Sequence, residues 1–210
     1  MTAPRLGDGV TTADAVGAYA EYCFAPADIG TFVPDGFTSD IAAAAILKGM
    51  TAHSSDQVGV SGGAGRYGAS ARGAGGVNLV LTQWATSLGA ESSPLPPSLH
   101  KAALSRRAGA VEVLDYPDDP QQFGAKVREL TGGKGVAAVY DGVGKSTFDA
   151  SLASLPILGT QVLFGAASGP VPPFDPAVAP RRRLGVSDPP VVAPFHTNSR
   201  RVYLAYRRIV

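Results

Sequence analysis

From Leu99 onward the chain alternates between helix-like and strand-like segments, most of them stopped by glycine. No other feature restricts the fold as much. Leu99 to Ala108 reads as a helix closed by Gly109, Val111 to Leu114 as a short strand, and Gln121 to Leu130 as a helix stopped by Gly132-Gly133. Val136 to Tyr140 is an apolar, buried strand. Ser146 to Leu155 is a helix with Phe148, Leu152 and Leu155 at apolar spacing, and Gln161 to Phe164 is another strand. Strands joined through helices of this length need crossover connections, which build a parallel sheet. Past Pro170 the regular pattern stops.

The first half is less regular. Gly17 to Pro26 reads as a strand, because Tyr19, Tyr22 and Phe24 favour extended backbone. Val33-Pro34-Asp35-Gly36 is a turn. Thr38 or Ser39 then caps a helix from Ile41 to Met50. Ser54 to Gly73 is rich in glycine and serine, with Val58-Gly59-Val60 as its one strand candidate. Val77 to Leu88 is an amphipathic helix ended by Gly89. Ser92 to Ser98 holds three prolines and is excluded from a central strand or a helix interior.

Composition narrows the function classes. A single cysteine, Cys23, excludes an internal disulfide framework and a cysteine zinc site. His53, His100 and His196 have no metal spacing, so no metal is expected. No serine sits in G-x-S-x-G, so a hydrolase elbow is absent. No apolar run reaches the roughly 18 residues of a membrane span, and Met1 to Val10 does not read as a signal peptide. The expectation is a cytoplasmic protein with no membrane partner.

The net charge of +1 hides an asymmetry. Seven of the 18 basic residues but only one of the 17 acidic ones, Asp188, lie between Arg181 and Val210. That stretch therefore carries +6 and the rest of the chain −5. Its arginine clusters read either as an arm for phosphate or anionic lipid, or as a solvated, irregular tail. The interleaved prolines favour the tail, so no specific nucleic-acid partner is expected.

Doubly wound sheets bind ligands beyond the carboxyl ends of their strands. Two glycine turns compete for that role. Gly63-Ala64-Gly65-Arg66-Tyr67-Gly68 matches G-x-G-x-x-G, but the pattern is weak in a chain with 26 glycines. Ala74-Gly75-Gly76-Val77 opens a helix directly and offers free N–H groups at the positive end of its dipole, though no clear strand precedes it. Asp141 and Val143 follow one strand, and Gly165 to Gly169 follow another. Spacing alone leaves these as either ligand contacts or plain loop residues. Lys101 and Tyr116, at a helix start and a strand end, read as plain surface on the same basis.

Val16 to Tyr22, Ala42 to His53, Leu81 to Ala85, Lys101 to Leu104, Val113 to Tyr116, Arg128 to Gly133, Val139 to Gly144 and Phe164 to Gly169 form an ordered set of stretches. Together they resemble the zinc-free quinone oxidoreductases of the zeta-crystallin type, in the medium-chain dehydrogenase/reductase superfamily. The resemblance implies an α/β fold: an incomplete Rossmann-like parallel sheet with helices, preceded by a remnant of a substrate domain. The implied bounds are 1–37 for the remnant, 38–176 for the cofactor domain and 177–210 for a basic, irregular tail.

The resemblance further implies NADPH as cofactor and hydride transfer to a quinone or α,β-unsaturated carbonyl, with homodimer formation left open. Carried over by position, Gly75, Gly76 and Val77 form the pyrophosphate turn. Lys101 pairs with the 2′-phosphate and Tyr116 flanks it. Val143, Phe164, Gly165 and Ala166 line the nicotinamide. No catalytic acid or base is implied. Asn78 stands where the family's fingerprint has its last glycine, and the substrate domain is mostly unmatched. The competing reading is therefore a non-catalytic remnant or binding module with impaired cofactor binding.

Overall fold

The computed structural model describes residues 10–11, 19–25, 30–58, 67–71, 75–95, 98–115, 118–157, 159–173 and 183–186. The chain divides into two units, Met1–His53 with Pro189–Val210, and Ser54–Asp188. In the first, β1 (Val10–Thr11) pairs antiparallel with β2 (Thr31–Phe32). Helix α1 (Ser39–Val58) follows the Pro34–Gly36 turn and runs into the second unit's sequence. Thr38 hydrogen-bonds the Asp40 carboxyl in its first turn and, with backbone groups, holds that carboxyl below the usual range. Buried Ala42, Ile46, Met50 and His53 fall on one face at helical spacing.

Helix α1 outruns the expected Ile41 to Met50 because no glycine or proline follows until Gly59. Val58 is thus helical rather than the start of a strand, and Gly59-Val60 lies outside the described residues. The strand expected at Gly17 to Pro26 is not formed over Tyr19–Ala25. Tyr19, Tyr22 and Phe24 are exposed there, so aromatic β-propensity has no neighbouring strand to act through.

The second unit is built on five parallel strands in the order β4-β3-β5-β6-β7. These are β3 (Tyr67–Ala71), β4 (Glu91–Leu95), β5 (Ala138–Asp141), β6 (Thr160–Leu163) and β7 (Arg183–Val186). Helix α2 (Gly76–Ser87) joins β3 to β4. Helices α3 (Leu99–Arg107) and α4 (Pro120–Leu130) lie between β4 and β5, and α5 (Phe148–Ser154) joins β5 to β6. The sheet grows outward in two directions from the adjacent pair β3 and β5. The reversal at that pair is the topological switch point of a doubly wound fold.

Three expectations change here, and the exclusion of Ser92 to Ser98 from a central strand is kept. The strand before the Gly75 turn exists, at Tyr67–Ala71, inside the segment that also carries the G-x-G-x-x-G match. Small residues become a strand because β4 and β5 supply ladder partners on both sides. Glu91–Leu95 is a strand despite Pro94. Its neighbour on one side is β3 and, among the described residues, on the other the 111–114 segment, so it is an edge strand. The Pro94 carbonyl accepts from Leu114 N–H at 3.0 Å on that outer side, so its missing N–H also faces away from β3. Val111 to Leu114 is not itself a strand, although Val111 N–H donates to the Ser92 carbonyl at 2.9 Å. Finally, Arg183–Val186 within the expected irregular tail pairs with β6 as β7.

The core of this unit lies between β5 and helices α4 and α5. Leu114, Phe123, Val127, Val136, Val139, Ala150 and Leu155 form one buried cluster. Asp119 caps α4, its Oδ1 accepting from Gln121 and Gln122 N–H at 2.7 and 3.2 Å, with Pro120 in the first turn. Gly124 lets α4 meet α5 closely, since a Cβ there would stand 2.6 Å from the Ala153 carbonyl oxygen. One residue conflicts with this core. Gln161 on β6 is 0% exposed, and neither amide atom has a hydrogen-bond partner among the described residues. Gln161→Met keeps the length and removes the orphaned amide. It is expected to stabilise the protein by about 1–3 kcal/mol, read as a raised denaturation midpoint. An unchanged or lowered midpoint would show that the amide has a partner.

Candidate functional site

Three features converge on the carboxyl ends of the strands around the switch point. The first is the N-terminus of α2, four residues after β3. Gly75 is its N-cap, with φ −73° and ψ 154° and no side-chain cap. The helix's own first bond is Leu79 N–H to the Gly75 carbonyl at 2.9 Å. The N–H groups of Gly76 and Val77 precede it and have no acceptor within the helix. Gly76 is exposed and Gly75 and Val77 are half-buried. The arrangement suits an anion, with backbone donors and a dipole end but no competing carboxylate. Asn78, which replaces a glycine of the family pattern, is buried at 3% exposure.

The second feature is Lys101 in the first turn of α3. Its backbone N–H donates to the Ser98 cap hydroxyl at 3.4 Å, and its side chain is half-buried. Tyr116 lies outside the described residues.

The third is a pair of interlocked turns after β5 and β6. Asp141, at 0% exposure, ends β5 and organises the first turn. Its Oδ1 accepts from the N–H groups of Val143 and Gly144 at 2.8 and 3.0 Å. Thr147 Oγ1 donates to both carboxylate oxygens at 2.9 Å, and Ser151 Oγ to Oδ2 at 3.0 Å. The second turn lies against the first: Phe164 N–H donates to the Asp141 carbonyl at 2.9 Å and Lys145 N–H to the Gly169 carbonyl at 3.1 Å. A Cβ on Gly142 would stand 2.7 Å from the Phe164 ring, and one on Gly165 2.8 Å from the Gly142 carbonyl oxygen. Only glycine permits this approach.

The structure therefore brings Val143 together with Phe164, Gly165 and Ala166. Val143 is buried at 3% exposure, whereas Ala166 is exposed and Phe164 and Gly165 are half-buried. Sequence reasoning passed over Thr147 and Ser151, and included Ser168 only within the range Gly165 to Gly169; all three fasten these turns. An Asp-Gly pair at a strand end is the signal for the Asx turn that Asp141 makes, but hydroxyls six and ten residues later carry no such mark. Among the described residues no three His, Cys, Asp or Glu side chains cluster as a metal site, and no helix is long and apolar enough to cross a membrane.

A parallel sheet with this strand order, and a glycine-capped helix after one of the two strands at its switch point, defines a Rossmann-type nucleotide-binding unit. Residues 76–191 match the family described as zinc-binding dehydrogenase. The quinone oxidoreductase of Salmonella typhimurium is 39% identical over 177 residues, spanning 80% of this chain and 51% of that protein. That of Pseudomonas aeruginosa is 37% identical, spanning 81% and 52%. The chain thus spans about half the length of the curated relatives it matches. Among solved structures, a mycobacterial protein complexed with NADPH superposes with a TM-score of 0.90 at 49% identity, over 99% of this chain and 63% of that one. Escherichia coli quinone oxidoreductase complexed with NADPH gives 0.75 at 30% identity, over 86% and 55%. The chain belongs to the zinc-binding dehydrogenase family, in the quinone oxidoreductase group of the medium-chain dehydrogenase/reductase superfamily.

Proposed function

We propose that the protein uses NADPH to reduce a quinone or an α,β-unsaturated carbonyl, in the cytoplasm. The observation that carries this reading is the coincidence of fold and position. The glycine-capped α2, Lys101 and the interlocked turns all follow carboxyl ends of strands in one doubly wound sheet, in a chain related to quinone oxidoreductases of which some are solved with NADPH. Residues 38–176, together with the Arg183–Val186 strand that completes the sheet, are assigned to the cofactor domain and 1–37 to the substrate domain.

NADPH supplies the hydride when bound. The protein's share is to hold and orient it. The N–H groups of Gly76 and Val77 and the α2 dipole would hold the pyrophosphate, and the bare Gly75 cap would leave room for it. Lys101 would meet the 2′-phosphate with its ammonium, and Tyr116 is assigned beside that phosphate by the family resemblance alone. The backbone of Val143 is fully bonded to Asp141 and Ser168, so Val143 contributes a fixed wall. Phe164, Gly165 and Ala166 complete that wall at the end of β6. No proton donor is assigned in these turns, and none is required to pass the hydride itself.

The test is NADPH oxidation with benzoquinone, followed by loss of nicotinamide absorbance. A charge-assisted contact is worth on the order of 1–3 kcal/mol, so Lys101→Ala should raise KM for NADPH about tenfold or more and leave NADH unaffected. Equal changes for both cofactors would remove Lys101 from the 2′-phosphate. Absence of both NADPH binding and turnover in the parent chain would overturn the function.

A further inference from the structure

We propose that Ser168 is a positioning residue for the nicotinamide half of the cofactor, a role that rests on reading the two turns as the nicotinamide end of an NADPH site. Ser168 is exposed, so its hydroxyl serves no core. Nevertheless it is bonded twice across to the other turn. Ser168 Oγ donates to the Val143 carbonyl at 2.8 Å and accepts from Ser146 N–H at 3.0 Å, residues 25 and 22 positions away. One small side chain therefore closes the turn after β6 onto the turn after β5.

The rest of the junction explains why that closure matters. Asp141 fixes the first turn from beneath through Val143, Gly144, Thr147 and Ser151. Where the turns start, Gly142 lies in close contact with Phe164 and Gly165, so their spacing there has no slack. Farther out the turns are held by backbone bonds, Ser168 N–H to the Val143 carbonyl at 2.8 Å and Lys145 N–H to the Gly169 carbonyl at 3.1 Å, and by the Ser168 hydroxyl. Both bonds of that hydroxyl run from the turn after β6 to the turn after β5. Without it Ser146 N–H loses its acceptor, and Ala166 and its neighbours can move relative to Val143. A ligand group resting on both turns would then meet a surface that must be reordered on binding, which costs affinity. The pyrophosphate and 2′-phosphate contacts, on α2 and α3, would not change.

The experiment compares Ser168→Ala and Ser168→Thr with the parent chain by titration calorimetry, using NADPH and adenosine 2′,5′-bisphosphate, a fragment without nicotinamide. The alanine variant should lose about five- to tenfold in NADPH affinity. It should bind the fragment within about twofold of the parent, as a preserved phosphate end requires. Threonine, which restores the hydroxyl, should restore NADPH affinity. Equal losses for both ligands, or no loss for either, would overturn the positioning role while leaving the NADPH site in place. A parent chain that binds neither ligand would overturn the NADPH reading and this role with it.

Discussion

Gly75→Asp is expected to abolish NADPH binding while leaving the fold as stable as before or more so. The two effects have opposite signs because the residue serves two purposes. Gly75 sits in ordinary extended geometry at the N-cap of α2, so an aspartate fits its backbone. Aspartate caps a helix about a few tenths of a kcal/mol better than glycine, and its charge complements the helix dipole by about 0.3–1 kcal/mol. The same carboxylate occupies the donors proposed for the pyrophosphate and repels it, so affinity should fall by about a hundredfold or more. Calorimetry with NADPH and a thermal melt on the same sample separate the outcomes. Retained binding would move the anion site elsewhere, and loss of both binding and stability would mean only that the helix was damaged.

Asp141→Leu should show the largest stability loss of any single change considered. The substitution strands the N–H groups of Val143 and Gly144 and the hydroxyls of Thr147 and Ser151 in a site from which water is excluded. Each buried orphan costs about 1–3 kcal/mol, and hydroxyl rotation recovers part of the sum, so a total of roughly 3–5 kcal/mol is expected. Urea unfolding measures it. Asp141→Asn should lose much less, because its oxygen still accepts from the two N–H groups and its amide can donate to the two hydroxyls. If leucine were tolerated as well as asparagine, the carboxylate would not be the organiser of this turn.

The sequence was most informative where local signals and tertiary demand coincide. α2, α3 and α4 begin and end within about a residue of where glycine, proline and apolar spacing put them. Asp119 and Ser98 are caps whose role is local. The strands were harder to read. Tyr67–Ala71 and Glu91–Leu95 have little strand propensity, and they are strands because of the ladders beside them. Tyr19, Tyr22 and Phe24 have high propensity without such a ladder. The site followed the same division. Gly75, Gly76 and Lys101 stand at helix starts and were legible by position. The union of Val143 with Phe164 to Ala166 depends on bonds between segments more than 20 residues apart, which no local pattern encodes.

The irregular segment beside β4 bears on how the protein behaves in a crowded solution. A bare edge strand is a template on which a neighbouring molecule can add its own strand, the first step towards aggregation. On the outer side of β4, however, the carbonyls of Ser92 and Pro94 are already engaged by Val111 and Leu114, and proline has no N–H to present. An incoming chain meets used acceptors and a missing donor. By lying along β4 without becoming a regular strand, residues 111–114 leave that side of the sheet with an irregular rim, a poorer template for fibre growth than a bare strand.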